Sequence, residues 1–319
     1  MSEKQDNKVD LNLLQSLGLE LLWYFSRALS MSPRWFRFGL FQPFITLLLR
    51  LIGYRSRVII QNLEGAFPEK SKSEIRKIRN RYYSTLSEVI IDTMCLAGAD
   101  ASCRGKYMVW EDVDKHVKNL AGRDWIALGS HYGCWEYLST WAWEVKTDRF
   151  MAVYHPLRSA VFEAYYNRIR NFSPNLDQVP MKGAVRHYIT HRSSEHGTCI
   201  GLISDQSPIL TAETEWIDFL GRPTAFVEGA ERLALKFKLP VYFGYIRRIR
   251  AGHYTVRMDL IYDGKESVEP NQITRRYAKS LEQMIREVPE LWMWSHRRWR
   301  HTPEKQRAKF GSSTLDGKK

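Results

Sequence analysis

The chain opens polar over residues 1–10 and then turns apolar. Leu11, Leu13, Leu14, Leu17, Leu21, Leu22 and Trp23 recur densely enough for an amphipathic helix. Glu20 and Arg27 interrupt that run. A second apolar stretch over 38–49 is bracketed by Arg37 and Arg50. Neither reaches the roughly 18–20 uninterrupted apolar residues of a plain transmembrane helix. The pattern therefore predicts a membrane-associating helical region, with spanning and surface binding both open. Trp35, Arg37, Arg50 and Arg55 suit anchoring at the lipid–water boundary. A turn-rich connector over 62–69 follows. Ser71 and Glu74 then make a capping box, and Ile75, Ile78, Tyr82, Leu86 and Ile90 continue behind it at helical spacing.

Beyond this point short β-rich runs alternate with helical patterns. Strands are predicted over 125–129, 150–154, 198–204, 240–246 and 255–261. Helices are predicted over 134–145, 160–171, 183–192, 227–238 and 272–288. That alternation predicts an α/β sandwich with a mostly parallel central sheet, whose ligands bind at the carboxyl ends of strands. The chain divides into a membrane-associating helical region over 1–60, a catalytic domain over 61–304 and a polar tail without structure over 305–319.

Composition narrows the partners. With 319 residues and 44% hydrophobic content, the chain can bury a full core. A net charge of +13 calls for an acidic partner: nucleic acid, anionic lipid, a phosphorylated substrate or an acidic carrier protein. The cysteines, Cys95, Cys103, Cys134 and Cys199, form no C-x-x-C pair, and no histidine cluster has zinc spacing, so no metal is expected. No glycine-rich phosphate loop is present, so no nucleotide cofactor is expected either. The N-terminus has no signal-peptide pattern.

The candidate chemistry centres on residues 130–136, where an apolar run ends in Ser-His-Tyr-Gly-Cys-Trp-Glu. His131 and Glu136 would meet only if His131 sits in a turn and Glu136 in the helix after it. A carboxylate on one imidazole nitrogen would fix the tautomer and make the other nitrogen a general base. A structural histidine near a helix start fits the spacing too. Asp205 and Gln206 end another apolar run, where an acidic residue is either functional or a cap. In the Gly-Arg-Pro-Thr segment, Arg222 and a Thr224 at a helix start could hold an anion, or simply form a turn. Arg158, Arg168 and Arg170 follow a third strand and could line an anionic site or a solvated face. Aromatic residues alternate with arginine over 291–300, suiting stacked bases, a headgroup layer or a core seam.

Together these segments resemble the late acyltransferases of lipid A biosynthesis, the lauroyl/myristoyl type, which belong with the lysophospholipid acyltransferases. The elements fall in order: the apolar N-terminus, Asn62-Leu63 with Phe67-Pro68-Glu69, the 130–136 segment, Tyr154-His155-Pro156-Leu157, Asp205-Gln206, the segment 219–223, and Trp292 to Arg298. The resemblance implies a glycerophosphate-acyltransferase-like fold on the cytoplasmic face of the inner membrane, with no cofactor. The donor would be an acyl thioester on acyl carrier protein or coenzyme A, and the acceptor a hydroxyl of an anionic lipid A precursor. It implies His131 as catalytic base with Glu136 as its partner. It places Arg168, Asp205 and Arg222 at functional positions. His155 stands where many relatives show arginine, which weakens a charge-binding role there. The same chemistry on a lysophospholipid, aminolipid or glycolipid is the alternative. A non-catalytic binder of anionic polymers would leave His131 and Glu136 unexplained, and no nucleic-acid partner is expected.

Overall fold

The computed structural model describes residues 9–145, 149–192 and 197–311. The apolar N-terminus is helical. Helix α1 (Leu13–Met31) starts at a capping box between Asn12 and Gln15. A π-helical turn, Phe36–Phe41, runs into α2 (Gln42–Leu51), and α3 (Ser56–Ala66) follows. The predicted capping box at Ser71 opens α4 (Lys72–Cys95), which buries Ile75, Ile78 and Tyr82.

Alternation then sets in: β1 (Met108–Trp110), α5 (Val113–Leu120), β2 (Trp125–Gly129), α6 (Trp141–Glu144), β3 (Arg149–Tyr154), α7 (Ala160–Ile169), β4 (Leu176–Pro180), α8 (Ala184–His191) and β5 (Thr198–Ile203). A hairpin of β6 (Trp216–Phe219) and β7 (Arg222–Ala225) stands apart from the main sheet. Next come α9 (Gly229–Phe237), β8 (Val241–Arg250), β9 (His253–Tyr262), α10 (Gln272–Glu287) and α11 (Pro303–Phe310).

Seven strands form the sheet in the order β1-β9-β8-β2-β5-β3-β4. All neighbours run parallel except β8 and β9, which make a long hairpin. The α/β architecture with a mostly parallel sheet is thus as the alternating pattern predicts. Central β2 contributes the buried Trp125, Ile126 and Leu128. Its near-continuous apolar run reflects cover on both faces. A polar network ties α4 to the hairpin. Glu88 takes a bidentate pair from Arg248, and the Tyr254 hydroxyl bonds both Glu88 (2.9 Å) and Asp92 (3.0 Å).

The N-terminal helices pack on this body through Leu19, Leu22, Trp23, Leu29, Ile45 and Leu49, and polar contacts add to this. Ser26 bonds Tyr165 of α7 at 2.7 Å. Arg168 pairs with Glu20 at 2.6 Å and lies 4.1 Å from the Trp23 ring centre. The outward faces stay apolar: Leu14, Leu21, Tyr24, Phe44 and Leu51 are exposed. Among the described residues no single helix is long and apolar enough to cross a membrane. One pair, Phe36–Leu51 with Ser56–Ala66, passes by length and composition but is bent by 90°.

Three expectations change. The helix expected over 134–145 is a 3-10 stretch, Trp135–Thr140, followed by the single turn α6. The Gly-Arg-Pro-Thr segment does not open a helix. Leu220 and Gly221 form the β6–β7 turn with positive φ (54° and 69°), and Arg222 to Thr224 continue as strand. The tail expected to lack structure from 305 begins with α11, held by the Gln306 amide on the carbonyls of Thr211, Ala212 and Thr214. Residues 312–319 of that tail lie outside the described residues.

Candidate active site

His131 sits in the turn just past β2, at the carboxyl end of a central strand. The turn is tight because Gly133 takes φ +55°, and a Cβ there would stand 2.8 Å from the Tyr254 ring. Its other wall is the segment 291–293. Gly133 N–H donates to Leu291 O (2.9 Å), and Met293 N–H donates to His131 O (3.0 Å). The Tyr277 hydroxyl holds Gly129 O from below at 2.8 Å. The backbone of the histidine is therefore fixed on both sides.

The imidazole partner is Asp205, at the end of β5, the strand beside β2. Nδ1 of His131 lies 2.6 Å from Asp205 Oδ1. The second carboxylate oxygen accepts from His131 N–H (3.0 Å) and from the Trp292 indole (2.7 Å). Burial pushes the Asp205 carboxyl up. The His131 ring and the donors from His131 and Trp292 outweigh that and hold it below its ordinary value. An ionised carboxylate at Nδ1 places the proton on Nδ1 and leaves Nε2 as the acceptor. Nε2 meets the Gln206 side-chain amide at 3.1 Å, which donates to it. Trp135 closes the site edge-on, 4.9 Å from the imidazole centre.

Glu136 has a different partner. Both its oxygens accept from Arg170, at 2.8 and 2.7 Å. The expected His131–Glu136 pair is thus replaced by two pairs, His131–Asp205 and Glu136–Arg170. The 3-10 backbone turns Glu136 toward the end of α7, where Arg170 lies over the rings of Tyr154 and Tyr166 (5.6 and 4.9 Å). Burial lowers the Arg170 guanidinium, but Glu136's charge and hydrogen bonds reverse this and raise it.

The other expected residues separate. Arg168 is engaged by Glu20 and Trp23. Arg158 is exposed on the loop before α7. Thr224 is buried, accepting from the Trp299 indole at 2.8 Å and donating to Arg222 O at 2.8 Å. Its hydroxyl is therefore not at a helix start and is not free for an anion. Arg222 stacks on Trp299 at 4.4 Å. It presses on Gly65, where a Cβ would come within 2.5 Å of Nη1. Among the described residues it has no ion-pair partner, and burial lowers its pKa.

Two participants were not predicted singly. Trp292 donates to the Asp205 carboxylate. Arg298 is buried, with Nη2 donating to Ala225 O (2.7 Å) and its guanidinium 4.6 Å from the Phe226 ring centre. Burial pushes it down to about 10, opposed by the charge of Asp205. Only the aromatic and arginine alternation over 291–300 hinted at them.

Cys134, inside the motif, is fully buried, and burial raises its thiol well above its ordinary value. It does not supply a thiolate nucleophile. The site is thus a strand-end histidine with Nδ1 bound to a buried carboxylate and Nε2 met by the Gln206 amide. The chain belongs to the bacterial lipid A biosynthesis acyltransferase family, whose model matches residues 6–301, and it is an acyltransferase of that family. No curated protein matches it. Among solved structures it is similar to the 1-acyl-sn-glycerophosphate (LPA) acyltransferase PlsC from Thermotoga maritima. Identity is 15%, over 87% of this chain and 96% of that one, with a TM-score of 0.33. A superposition this loose adds nothing to the topology described above.

Proposed function

We propose that the protein moves a fatty acyl chain from an acyl thioester, on acyl carrier protein or coenzyme A, to a hydroxyl of an anionic lipid A precursor. The product is an acyloxyacyl group, made at the cytoplasmic face of the inner membrane. The observation that carries this reading is the His131–Asp205 contact at 2.6 Å within a chain of this family.

In the reaction Nε2 of His131 takes the proton of the acceptor hydroxyl. The oxygen attacks the thioester carbonyl and forms a tetrahedral adduct. Collapse breaks the C–S bond, and the proton on Nε2 goes to the leaving sulfur. Asp205 balances the imidazolium while it exists. The Gln206 amide must leave Nε2 before a hydroxyl can take its place. Arg222, a cation without an ion-pair partner among the described residues, suits a substrate phosphate or the developing oxyanion. Arg170, held on Glu136, shapes the wall of the site.

The apolar outer faces of α1 and α2 support membrane attachment beside the site. The test is the lipid profile of a deletion strain by mass spectrometry, with complementation by wild type and by His131→Ala. Loss of one acyl chain from lipid A, restored only by wild type, is the expected result. Unchanged lipid A with another lipid altered would overturn the acceptor.

A further inference from the structure

The tip of the β8–β9 hairpin carries Arg247, Arg248, Ile249 and Arg250, all exposed. Only Arg248 is neutralised there, by Glu88 at 2.8 Å. Arg247 leans over the Tyr245 ring at 5.7 Å, and neither it nor Arg250 has an ion pair among the described residues. Across from the tip stands the start of the π-helical turn. Arg34, two residues before that turn, donates to Ala251 O at 3.1 Å and lies 5.4 Å from the Phe38 ring. A cleft of about 510 Å³ separates the two walls, lined by Arg34, Trp35, Phe38, Arg248, Ile249 and Arg250 among others. The walls are close-built. Gly252 takes φ +71°, and a Cβ on it would reach 2.8 Å from Phe38.

What adjoins the cleft identifies the occupant. Leu40, Phe44, Leu47, Leu48 and Leu51 recur at helical spacing and are 43–74% exposed. They form one uncovered apolar face on α2 and the turn before it, the same segment whose Phe38, Gly39 and Gln42 line the cleft. Trp35, 69% exposed, and Ile249, 56% exposed, rim it. A bilayer presents this same sequence of layers: acyl chains, then an interfacial zone that favours tryptophan, then phosphate. Arginine binds phosphate through its planar set of donors.

We propose that this cleft seats the phosphate headgroup of an anionic phospholipid, with the α2 face in the acyl layer. The hairpin tip is then a second anchor that fixes how the catalytic body stands on the membrane. This rests on the membrane-surface reading given under Proposed function, but not on the identity of the acyl acceptor.

Flotation of the full chain with two sets of vesicles tests it. One set is phosphatidylcholine alone, and the other contains phosphatidylglycerol as well. Wild type is expected to prefer the second set, and preference for neither overturns the proposal. The double variant Arg34→Gln/Arg250→Gln should lose affinity for the anionic vesicles by on the order of tenfold or more. Its melting temperature and its transfer activity on detergent-dispersed substrate should stay at wild-type level. Equal binding by variant and wild type overturns the proposal. So does wild-type vesicle binding with loss of transfer only from carrier-protein thioesters, which would give the cleft to an acidic protein. Vesicle binding needs no turnover, so failure here is distinct from failure of the acyltransfer reading.

Discussion

His131 and Asp205 stand 74 positions apart in sequence, and Nδ1 of one lies 2.6 Å from the carboxylate of the other. β2 and β5 are parallel neighbours in register from Trp125↔Cys199 to Gly129↔Ile203, so the residues just past each strand end fall side by side. The pair belongs to the sheet rather than to the His131–Glu136 motif. That reassigns the carboxylate paired with the proposed base.

Replacing His131 by alanine removes the proposed proton acceptor. Transfer should fall by roughly 10²–10⁴-fold, while far-UV circular dichroism and melting temperature stay near wild type. Turnover within a few-fold of wild type would contradict the mechanism.

Asp205→Asn keeps the shape and removes the charge. Activity should fall over the whole pH range, with a smaller loss than for His131→Ala. The Asp205 carboxyl is held below its ordinary value, so its stabilisation is present above the unfolded pKa of about 3.9. It is lost as pH falls through the lower folded value. Urea melts of wild type and variant should therefore differ at pH 6 and draw together in acid as pH falls through the lowered folded value. A constant difference would count against a charged native carboxylate.

Glu136 and Arg170 should behave as a buried structural pair. Their side chains are only 7% and 18% exposed. Glu136→Gln leaves the guanidinium unbalanced and should cost about 3–5 kcal/mol. Adding Arg170→Met should recover part of that loss, as a double-mutant cycle would show. The pH profile of residual activity should keep its wild-type limbs, because no contact of Glu136 with the imidazole exists to shift them. A displaced acid limb would return Glu136 to the base.

Arg298 holds a buried positive charge near Asp205. With Arg298→Met the Asp205–His131 pair should take up a proton more readily, because a neighbouring cation is gone. The acid limb of kcat/KM should then move to higher pH, and Arg298→Lys should restore it. An unmoved limb in a folded Met variant would make Arg298 a packing residue only.

Much of the fold could be read along the chain. The alternation of β-rich runs and helical patterns located β2, β3 and β5 to within a residue, because their runs are apolar almost throughout, whereas β8 continues to Arg250, four residues past the expected end, on an exposed arginine-rich stretch. The capping box at Ser71 marked the start of α4 by local hydrogen bonding alone. Edge strand β1 has only three residues, and edge strand β4 carries Asp177 and Gln178 in place of an apolar run, so neither shows the pattern. Arg222 to Thr224 became strand because Leu220 and Gly221 both turn through positive φ, a hairpin signal hidden behind the proline.

The sequence by itself determined which residues end strands, and with that it singled out His131, Asp205 and Gln206. It also determined the apolar N-terminus and the excess of positive charge. Only the tertiary structure decided how these side chains pair. Pairing depends on strand order and register, which are long-range properties that no spacing encodes. A carboxylate five positions away in the chain was turned aside by a 3-10 helix toward Arg170. The one delivered by the neighbouring strand reached the imidazole.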